Sequence, residues 1–476
     1  MKSSFSKLQN SKLFQLLIII DEKALNKVGK FLESPYFNTT KPVIELFQFI
    51  SQHSPKKRGA LTKNRLHQAL YPNRPYKDER IRLVMSQLVQ FLEQFLLLED
   101  WKKNTITNKI QLAQIYQQRK VEKLYEQTTT TTYQLLHKQP HRNAAYFRQS
   151  YQLALANYQQ ASFTNRMGPQ NLQEVADLLD TSYLIEKLKT ACLVASHQRV
   201  YKQEYDFGLL NLLLGYIAQK ELTTIPAIGI YYYSYQSLVK EDPTENFKQF
   251  KDLLFQYQHQ FTKAELMDLY LLGINCCIRM INKGNRNFLE ESMDLYQKGL
   301  ASNALLENGV LSRFTYQNIV STGLRTQQYQ WTETFIENYK SKIEKAYQES
   351  AYRLNKGRVA YQQKQYQVAL DLLKDTDHKD LLVNLFSKTL LLKIYYELEE
   401  FKLLDAFLDS FQIYLRRKKI IGYHRDNYKK VIYYTRQLMK VNPFDKVEKE
   451  ALEKKIIGEK NLLEKEWLLK QLALLH

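Results

Sequence analysis

The chain has 476 residues, of which 44% are hydrophobic and 25% are charged, and its formal net charge is +20. This apolar content excludes a disordered chain. The 14 glycines form no phosphate-binding loop, because even the closest pair, Gly208 and Gly215, is seven residues apart. The positive charge attracts acidic proteins, nucleic acid or anionic lipid, or it serves solubility alone.

The three cysteines, Cys192, Cys276 and Cys277, are odd in number and two are adjacent, which fits neither a disulfide framework nor a four-ligand zinc site. They indicate reduced core residues in a cytoplasmic protein. The apolar run from Leu13 to Ile20 imitates a signal peptide, but it is short and no cleavage site follows it. No other uncharged apolar run approaches about 18 residues, so we expect no membrane span.

Half of the ten prolines lie before residue 76, which distinguishes residues 1–105 from the rest of the chain. Capping residues and helix breakers predict helices over 5–20, 22–33, 41–50, 62–71 and from 78 onward. Asp21, Thr62 and Asp78 are the predicted N-caps. One face of the last helix is apolar, with Ile81, Val84, Met85, Leu88, Phe91, Leu92 and Phe95. We expect a helical N-terminal domain over residues 1–105.

No proline occurs in the 199 residues between Pro243 and Pro443, and apolar residues recur there at intervals of three and four. Proline inside a helix costs about 3 kcal/mol, so this stretch predicts successive helices with short connections. Late in the chain a pattern repeats with periods of 37 and 35 residues. The matching sets are Tyr329, Thr332 and Ile336; Tyr366, Ala369 and Leu373; and Phe401, Leu404 and Leu408. Such periods are typical of stacked helical hairpins, in which each aromatic opens a second helix.

The unit around Gly357 resembles the tetratricopeptide repeat. Gly357 and Ala369 are twelve residues apart, and Tyr366 precedes the second small residue. Ala360 stands where that repeat usually has an aromatic side chain. The resemblance implies a right-handed array of two-helix units, which we place over residues 106–440.

Over nearly its whole length the chain also resembles a family of bacterial α-helical repeat proteins of unassigned activity. The residues that carry this resemblance are Phe31-Leu32-Glu33-Ser34-Pro35-Tyr36-Phe37-Asn38, Gly323-Leu324, Trp331, Phe335, Tyr339 and Trp467-Leu468-Leu469. They are structural in character. The resemblance therefore implies a helical fold and brings no functional residue with it.

Two segments have two interpretations each. The β-branched run Thr128–Thr132 disfavours a helix, so it is either a low-complexity linker or a helix held by packing. Residues 441–476 predict an amphipathic helix from about Asp445. Its apolar positions are Leu452, Ile456, Leu463, Trp467, Leu468 and Leu472. This helix either caps the last repeat or pairs with another subunit, and the sequence leaves the oligomeric state open.

No catalytic arrangement emerges from the sequence. His137 and His141 have a spacing that suits a metal on a helix, but Pro140 lies between them and Lys138 replaces the glutamate of a metalloprotease. We therefore expect no enzyme, no catalytic residue, no cofactor and no metal. A hydrolase with a site spread over distant helices remains a third class of function.

Basic residues concentrate between residues 411 and 440, where nine cations accompany one acid, Asp426. Helical spacing places several of them around a tyrosine on one face of a helix. We call this set the basic stripe, and it consists of Arg416, Arg417, Lys429, Tyr433, Arg436 and Lys440. It could bind an acidic peptide, or a phosphate backbone with a stacked base, or form only a solvated face. A second basic cluster, between Lys56 and Arg82, is ordered loosely like a helix-turn-helix DNA reader.

These features predict an all-α protein with an N-terminal domain, an array of hairpins and a C-terminal capping helix over residues 441–476. The function they favour is a cytoplasmic, non-enzymatic scaffold that binds an acidic protein or peptide on a concave helical surface. The alternative is a nucleic-acid-binding protein that uses the basic patches. A binding affinity that falls steeply as the salt concentration rises would identify nucleic-acid binding.

Overall fold

The computed structural model describes residues 8–53, 61–164, 170–201, 203–373, 381–417, 422–459 and 462–475. These residues contain 23 α-helices and one pair of two-residue strands. The chain divides into two compact units, Met1–Leu184 and Ile185–His476. The predicted all-α class is therefore confirmed.

The first unit contains eight described helices and the beginning of a ninth. They are α1 (Lys12–Ile19), α2 (Glu22–Glu33), α3 (Lys41–Ser51), α4 (Lys63–Leu70), α5 (Asp78–Lys103), α6 (Thr105–Gln118), α7 (Glu122–Lys138), α8 (Ala144–Thr164) and α9 (Leu172–Tyr201). The boundary between the two units falls within α9. The domain boundary predicted at residue 105 lies at the first residue of α6.

Side-chain caps fix the starts of several N-terminal helices. Asp21 accepts a hydrogen bond from the backbone N–H of Ala24, and Thr62 accepts one from that of Arg65, as predicted. Because the first N–H groups of a helix lack internal partners, such a cap contributes about 1 kcal/mol. The predicted extent of the first helix and the predicted N-cap Asp78 need correction.

The first described α-helix begins at Lys12: residues 8–11, predicted to be part of it, are not α-helical, and the predicted start at residue 5 lies outside the described residues. A 3₁₀ turn precedes it, and the Ser11 hydroxyl accepts from the backbone N–H of Phe14 at 3.2 Å, which starts the helix there. The long helix begins one residue after its N-cap, Lys77, and Asp78 does not cap it. Instead, the Asp78 carboxylate accepts a hydrogen bond from the Tyr76 hydroxyl at 2.8 Å.

Helix α5 is the centre of a hydrophobic core built from residues 8–95. Ile81, Leu88 and Leu92 are fully buried and pack against side chains from α1 to α4. Among the described helices, α5 is also the one long and apolar enough to cross a membrane, with a mean hydropathy of 1.3 over its best window. Many of its apolar side chains pack in the hydrophobic core, which explains why the helix is apolar.

The threonine run is helical and lies within α7. Thr132 is fully buried, and its hydroxyl bonds the backbone oxygen of Thr128 at 2.6 Å. Asn157 of α8 accepts from Tyr125 at 2.9 Å and donates to Tyr133 at 2.8 Å, on either side of the run. The prediction that packing holds the run Thr128–Thr132 in a helix is therefore confirmed, and the prediction of a low-complexity linker is wrong.

The second unit continues with fourteen described helices. They are α10 (Leu210–Gln219), α11 (Pro226–Val239), α12 (Thr244–Tyr257), α13 (Lys263–Asn282), α14 (Phe288–Ala301), α15 (Arg313–Arg325), α16 (Tyr329–Tyr339), α17 (Gln348–Gln362), α18 (Tyr366–Leu373), α19 (Leu381–Glu397), α20 (Phe401–Arg417), α21 (Gly422–Lys440), α22 (Lys446–Gly458) and α23 (Lys465–Leu474). Strands β1 (Leu306–Glu307) and β2 (Val310–Leu311) form an antiparallel hairpin before α15.

Successive helices of the second unit pair as hairpins. The pairs α11–α12, α13–α14, α15–α16, α17–α18 and α19–α20 are in contact, and α17 also contacts the first helices of its neighbours, α15 and α19. The predicted aromatic starts are confirmed, because Tyr329, Tyr366 and Phe401 are the first residues of α16, α18 and α20. The repeat period thus marks second helices correctly.

Glycine brings α15 and α16 together. A Cβ atom added to Gly323 would lie only 2.1 Å from the Thr332 hydroxyl, which no real contact allows. In the next hairpin, a Cβ on Gly357 would lie 3.1 Å from the side chain of Leu373. Gly323 is therefore required for the close approach of α15 and α16, and the contact at Gly357 is tight.

The C-terminal residues form two helices, α22 and α23, in place of the single one that was predicted. Glycine has a poor helix propensity, and Gly458 is the last residue of α22. Glu464, which has a left-handed backbone with φ 57°, is the N-cap of α23. The side chains of Trp467, Leu468 and Leu472 are buried in a core shared with α19 to α22.

Candidate functional site

The basic stripe faces outward on α21, as the helical spacing predicts. Tyr433 is 52% exposed, and Lys429 and Lys440 are also exposed. The opposite face of the helix is buried, with Tyr428, Val431, Ile432, Thr435 and Leu438. Arg416 and Arg417 are exposed at the end of α20, which packs against α21.

Carboxylates lie beside two of the five cations of the basic stripe. Arg436 pairs with Asp409 at 2.5 Å and lies 3.6 Å from Asp405, both on α20. Lys429 lies 3.7 Å from Asp426. The two aspartates of α20 precede the basic segment in sequence, so the local charge count omitted them. They also present negative charge where a phosphate backbone would have to approach.

The N-terminal basic cluster is compensated in a similar way. Lys56, Lys57 and Arg58 lie outside the described residues. Within the described part, Asp78 pairs with Arg82 at 2.5 Å and with Lys63 at 3.3 Å. Two cations of the cluster therefore share one carboxylate.

A cavity of about 600 Å³ lies on the first helices of three consecutive hairpins. Its lining comes from α15, α17 and α19, from the turn and first residue of α16, and from the start of α23. The residues are Gln317, Asn318, Ser321, Leu324, Arg325, Gln327, Tyr329, Arg358, Tyr361, Gln362, Phe386, Thr389, Leu390, Lys393, Glu464 and Glu466. Amides, hydroxyls and cations line it together with aromatic and aliphatic carbon, a composition that suits a polar ligand or peptide.

Arg358 is the most unusual side chain of the cavity. It is partly accessible, yet protein surrounds it closely enough that burial lowers its pKa to about 10, while the nearby charge of Glu464 opposes that shift. Its Nη1 donates to the side-chain oxygen of Asn355 at 3.2 Å and approaches the backbone oxygen of Gln317 at 3.5 Å. Among the described residues, no carboxylate lies within ion-pair distance of Arg358 or Arg325.

Lys393 is the third cation of the cavity. Its side chain is 13% exposed, and its Nζ lies 2.8 Å from Glu464 Oε2. The ammonium also lies 4.9 Å from the ring centroid of Tyr361 and 5.8 Å from that of Trp467. Unlike Arg358, this cation has a carboxylate partner.

A second carboxylate, Glu397, anchors the helix that follows Glu464. It accepts hydrogen bonds from the hydroxyls of Tyr361 and Tyr366 and from the indole N–H of Trp467, the last at 2.7 Å. Burial and then the hydrogen bond to Glu397 raise the pKa of Tyr366 to about 12. This network fixes α23 against α17 to α19.

The cysteines supply no reactive thiol at this site. All three are free and buried, as expected of core residues. Burial raises the pKa of Cys192 to about 12, and it also raises the pKa of Cys276. Because the thiolate is the reactive form, these side chains are suited to packing and not to nucleophilic catalysis.

Sequence reasoning overlooked the cavity because its residues are far apart in the chain. A usable signal existed, since the periods of 37 and 35 residues relate Ser321 to Arg358 and Arg358 to Lys393. These three residues occupy one repeat position, and all three line the cavity. Glu464 lies outside the repeats and follows no such rule.

Comparisons with protein-family models, curated proteins and solved structures found no match to this chain. The geometry of the cavity and of the basic stripe is therefore the basis for an interpretation of function.

Proposed function

We propose that this protein is a cytoplasmic, non-enzymatic scaffold of tetratricopeptide-like hairpins that binds an acidic peptide segment of a partner protein. The binding site is the cavity on α15, α17 and α19, which we take to lie on the concave side of the array. The partner's carboxylates pair with Arg358 and Arg325. The neighbouring amides hydrogen-bond its backbone.

The observation that carries this proposal is the state of Arg358. A guanidinium that is largely removed from water loses hydration, and it is stabilised again when a carboxylate binds both of its N–H edges. Within the described residues, neither Arg358 nor Arg325 has such a partner, whereas the stripe residue Arg436 pairs with Asp405 and Asp409. The cavity therefore has more to gain from an acidic ligand than the stripe.

The cavity also has a suitable size and shape for a short segment of chain. Pockets of about 300–1,000 Å³ hold small ligands and peptide side chains, and this one has about 600 Å³. Three helices contribute parallel rows of polar groups, including Gln317, Ser321, Gln362 and Thr389. Such rows can satisfy the donors and acceptors of an extended peptide, whose backbone must not be left unpaired.

The test is a binding titration with a fluorescent peptide of alternating glutamate and alanine, followed by anisotropy. We expect Arg358→Gln to weaken binding by at least about 30-fold, because truncating one side of a desolvated charge pair costs about 2–5 kcal/mol. The matched control is Arg436→Gln, which removes an arginine that already has intramolecular partners. It should change the affinity less than about twofold.

Equal affinity of Arg358→Gln and the wild type would overturn the proposal. The nucleic-acid alternative is tested in parallel with a labelled single-stranded oligonucleotide. If it binds, if its affinity falls steeply from about 50 to about 200 mM salt, and if glutamate at Lys429, Arg436 and Lys440 abolishes the binding, the basic stripe is the functional surface and the protein binds nucleic acid.

A further inference from the structure

Glu464 adopts a backbone conformation that glutamate normally avoids. It lies in the left-handed region, with φ 57° and ψ 25°, immediately before α23. As the N-cap residue it could accept a hydrogen bond from its own helix, but its side chain makes no such bond. A strained backbone conformation persists where contacts with the surrounding protein hold the residue in place. For Glu464, such contacts include those of its side-chain carboxylate.

The carboxylate of Glu464 is directed at the cavity. Its Oε2 lies 2.8 Å from Lys393 Nζ, and the residue is part of the cavity lining together with Arg358. Glu466, two residues later, lines the same cavity and forms an exposed ion pair with Arg286 at 3.6 Å. The chain therefore places its own acidic residues beside the cations that we assign to a partner.

The helix that carries these acids is firmly attached. Trp467, Leu468 and Leu472 are buried, and the Trp467 indole is hydrogen-bonded to Glu397. Displacing all of α23 would expose this apolar surface, which is unfavourable. Rotation of the Glu464 side chain away from Lys393 requires no such exposure, because the residue precedes the first turn of the helix.

We propose that Glu464 is an internal competitor for the acidic ligand: its carboxylate neutralises Lys393 in the free protein, and a bound partner must displace it. This inference rests on the proposed function of the cavity. It makes the cavity selective for ligands with several carboxylates. A ligand with one carboxylate only replaces Glu464 at Lys393, whereas a segment with several can replace Glu464 and also pair with Arg358. The helix α23 stays in place throughout.

The experiment uses the same alternating glutamate and alanine peptide with the full chain. Glu464→Gln keeps the shape of the side chain and removes its charge, so we expect the peptide to bind about tenfold more tightly. The matched control is Glu459→Gln, which removes a carboxylate of the same segment that pairs with Lys430 at 2.6 Å and does not line the cavity. It should leave the affinity unchanged.

A second comparison separates competition from a general change in charge. In a Lys393→Met background the pair is already absent, so adding Glu464→Gln should no longer produce the full gain in affinity. Hydrogen exchange of the wild type provides an independent measurement: saturation with the peptide should accelerate exchange at residues 462–466 and leave Trp467 to Leu472 protected.

The outcomes distinguish the two proposals. Unchanged or weaker binding by Glu464→Gln, with Arg358→Gln still defective, overturns the internal competitor and leaves the binding function intact. An equal gain in Glu459→Gln and Glu464→Gln also overturns it, since the effect is then one of net charge. Failure of both the wild type and Glu464→Gln to bind the peptide overturns both proposals.

Discussion

The basic stripe and the cavity both carry arginine, but their surroundings differ. On α21, Arg436 lies beside Asp405 and Asp409, and Tyr433 is half exposed to water. In the cavity, Arg358 is closely surrounded by protein and has only neutral hydrogen-bond partners among the described residues. A cation is available to a ligand when neither water nor an acid already satisfies it. The density of charged residues along a sequence does not show whether a cation is already hydrated or paired with an acid.

The two surfaces also depend on different parts of the fold. The basic stripe requires two neighbouring helices, α20 and α21, to be correctly oriented, whereas the cavity requires three hairpins to hold α15, α17 and α19 side by side. Changes in hairpin packing should therefore affect the cavity and leave the stripe unaltered.

The largest effect is expected from Gly323→Ala. The added Cβ would lie 2.1 Å from the Thr332 hydroxyl, and Thr332 is fully buried, so α15 and α16 must separate. Overpacking of this kind costs about 1–3 kcal/mol, and this contact should fall at the upper end of that range. Denaturant unfolding followed by circular dichroism measures the loss. Peptide affinity should fall as well, because α15 carries Arg325.

The matched control for this prediction is Gly215→Ala. Gly215 lies on an exposed part of α10, and a Cβ there meets no atom within 4 Å. Alanine favours the helix over glycine by about 0.5–1 kcal/mol, so this variant should be slightly more stable. Equal effects of the two substitutions would show that close helix approach at Gly323 does not hold the hairpin together.

Much of this hairpin geometry could be predicted from the sequence, but its turns could not. Period and aromatic spacing locate the starts of α16, α18 and α20 because buried seams impose the same side-chain sizes at each repeat. The turns before these helices contain Gln327, Lys364 and Glu399, each with a left-handed backbone. Glycine or asparagine usually signals that conformation, so these residues give no sequence signal.

The functional site, too, was predictable from the sequence only in part. Arg358 and Lys393 occupy equivalent repeat positions, so repeat alignment would have brought them together on one face. Glu464 reaches Lys393 from 71 positions along the chain, and this approach depends on how α22 and α23 pack after the array ends. No local pattern encodes such a contact. The basic stripe was predicted correctly in orientation, but the acids of α20 that compensate it belong to a different helix.

A smaller effect is expected from Glu397→Gln. Glu397 receives hydrogen bonds from Tyr361, Tyr366 and Trp467, and a neutral amide accepts them less strongly. We expect a loss of about 2 kcal/mol in unfolding free energy, measured by denaturant titration. Glu400→Gln is the control, since Glu400 is exposed and close in sequence. A stability equal to that of the control would show that the network does not anchor α23.

Alkaline pH should weaken the same network without any substitution. Burial and the hydrogen bond to Glu397 raise the pKa of Tyr366 to about 12, and burial raises the pKa of Tyr396 to about 12. Because the folded state holds these protons more tightly, their contribution is fully present below about pH 10 and is lost as the pH rises to about 12. Denaturant midpoints should therefore fall between about pH 10 and pH 12.

Tyr366→Phe has no phenolic proton at this position, so its stability should depend less steeply on pH over the same interval. If the wild type and this variant show the same slope, Tyr366 does not contribute to the alkaline loss. Hydroxyls elsewhere would then account for the effect.

The smallest effect is expected at the hairpin turns. Lys364 has φ 58° at the turn between α17 and α18, and an L-residue in the left-handed region is less stable than glycine there. Glycine also increases the entropy of the unfolded chain, which offsets part of the gain. We therefore expect Lys364→Gly to raise the unfolding free energy by roughly 0.5 kcal/mol.

The control for the turn is Ala406→Gly, at an exposed position inside α20. It should lower the unfolding free energy by about 1 kcal/mol, because glycine is a poor helix former. If Lys364→Gly raises the unfolding free energy and Ala406→Gly lowers it, the effect at Lys364 comes from its left-handed backbone and not from the general flexibility of glycine. A loss of stability at both positions would show that the Lys364 side chain contributes more than its backbone conformation costs. The turn would then be held by contacts of that side chain, and the repeat geometry beneath the cavity would depend on sequence at the turns as well as at the helix seams.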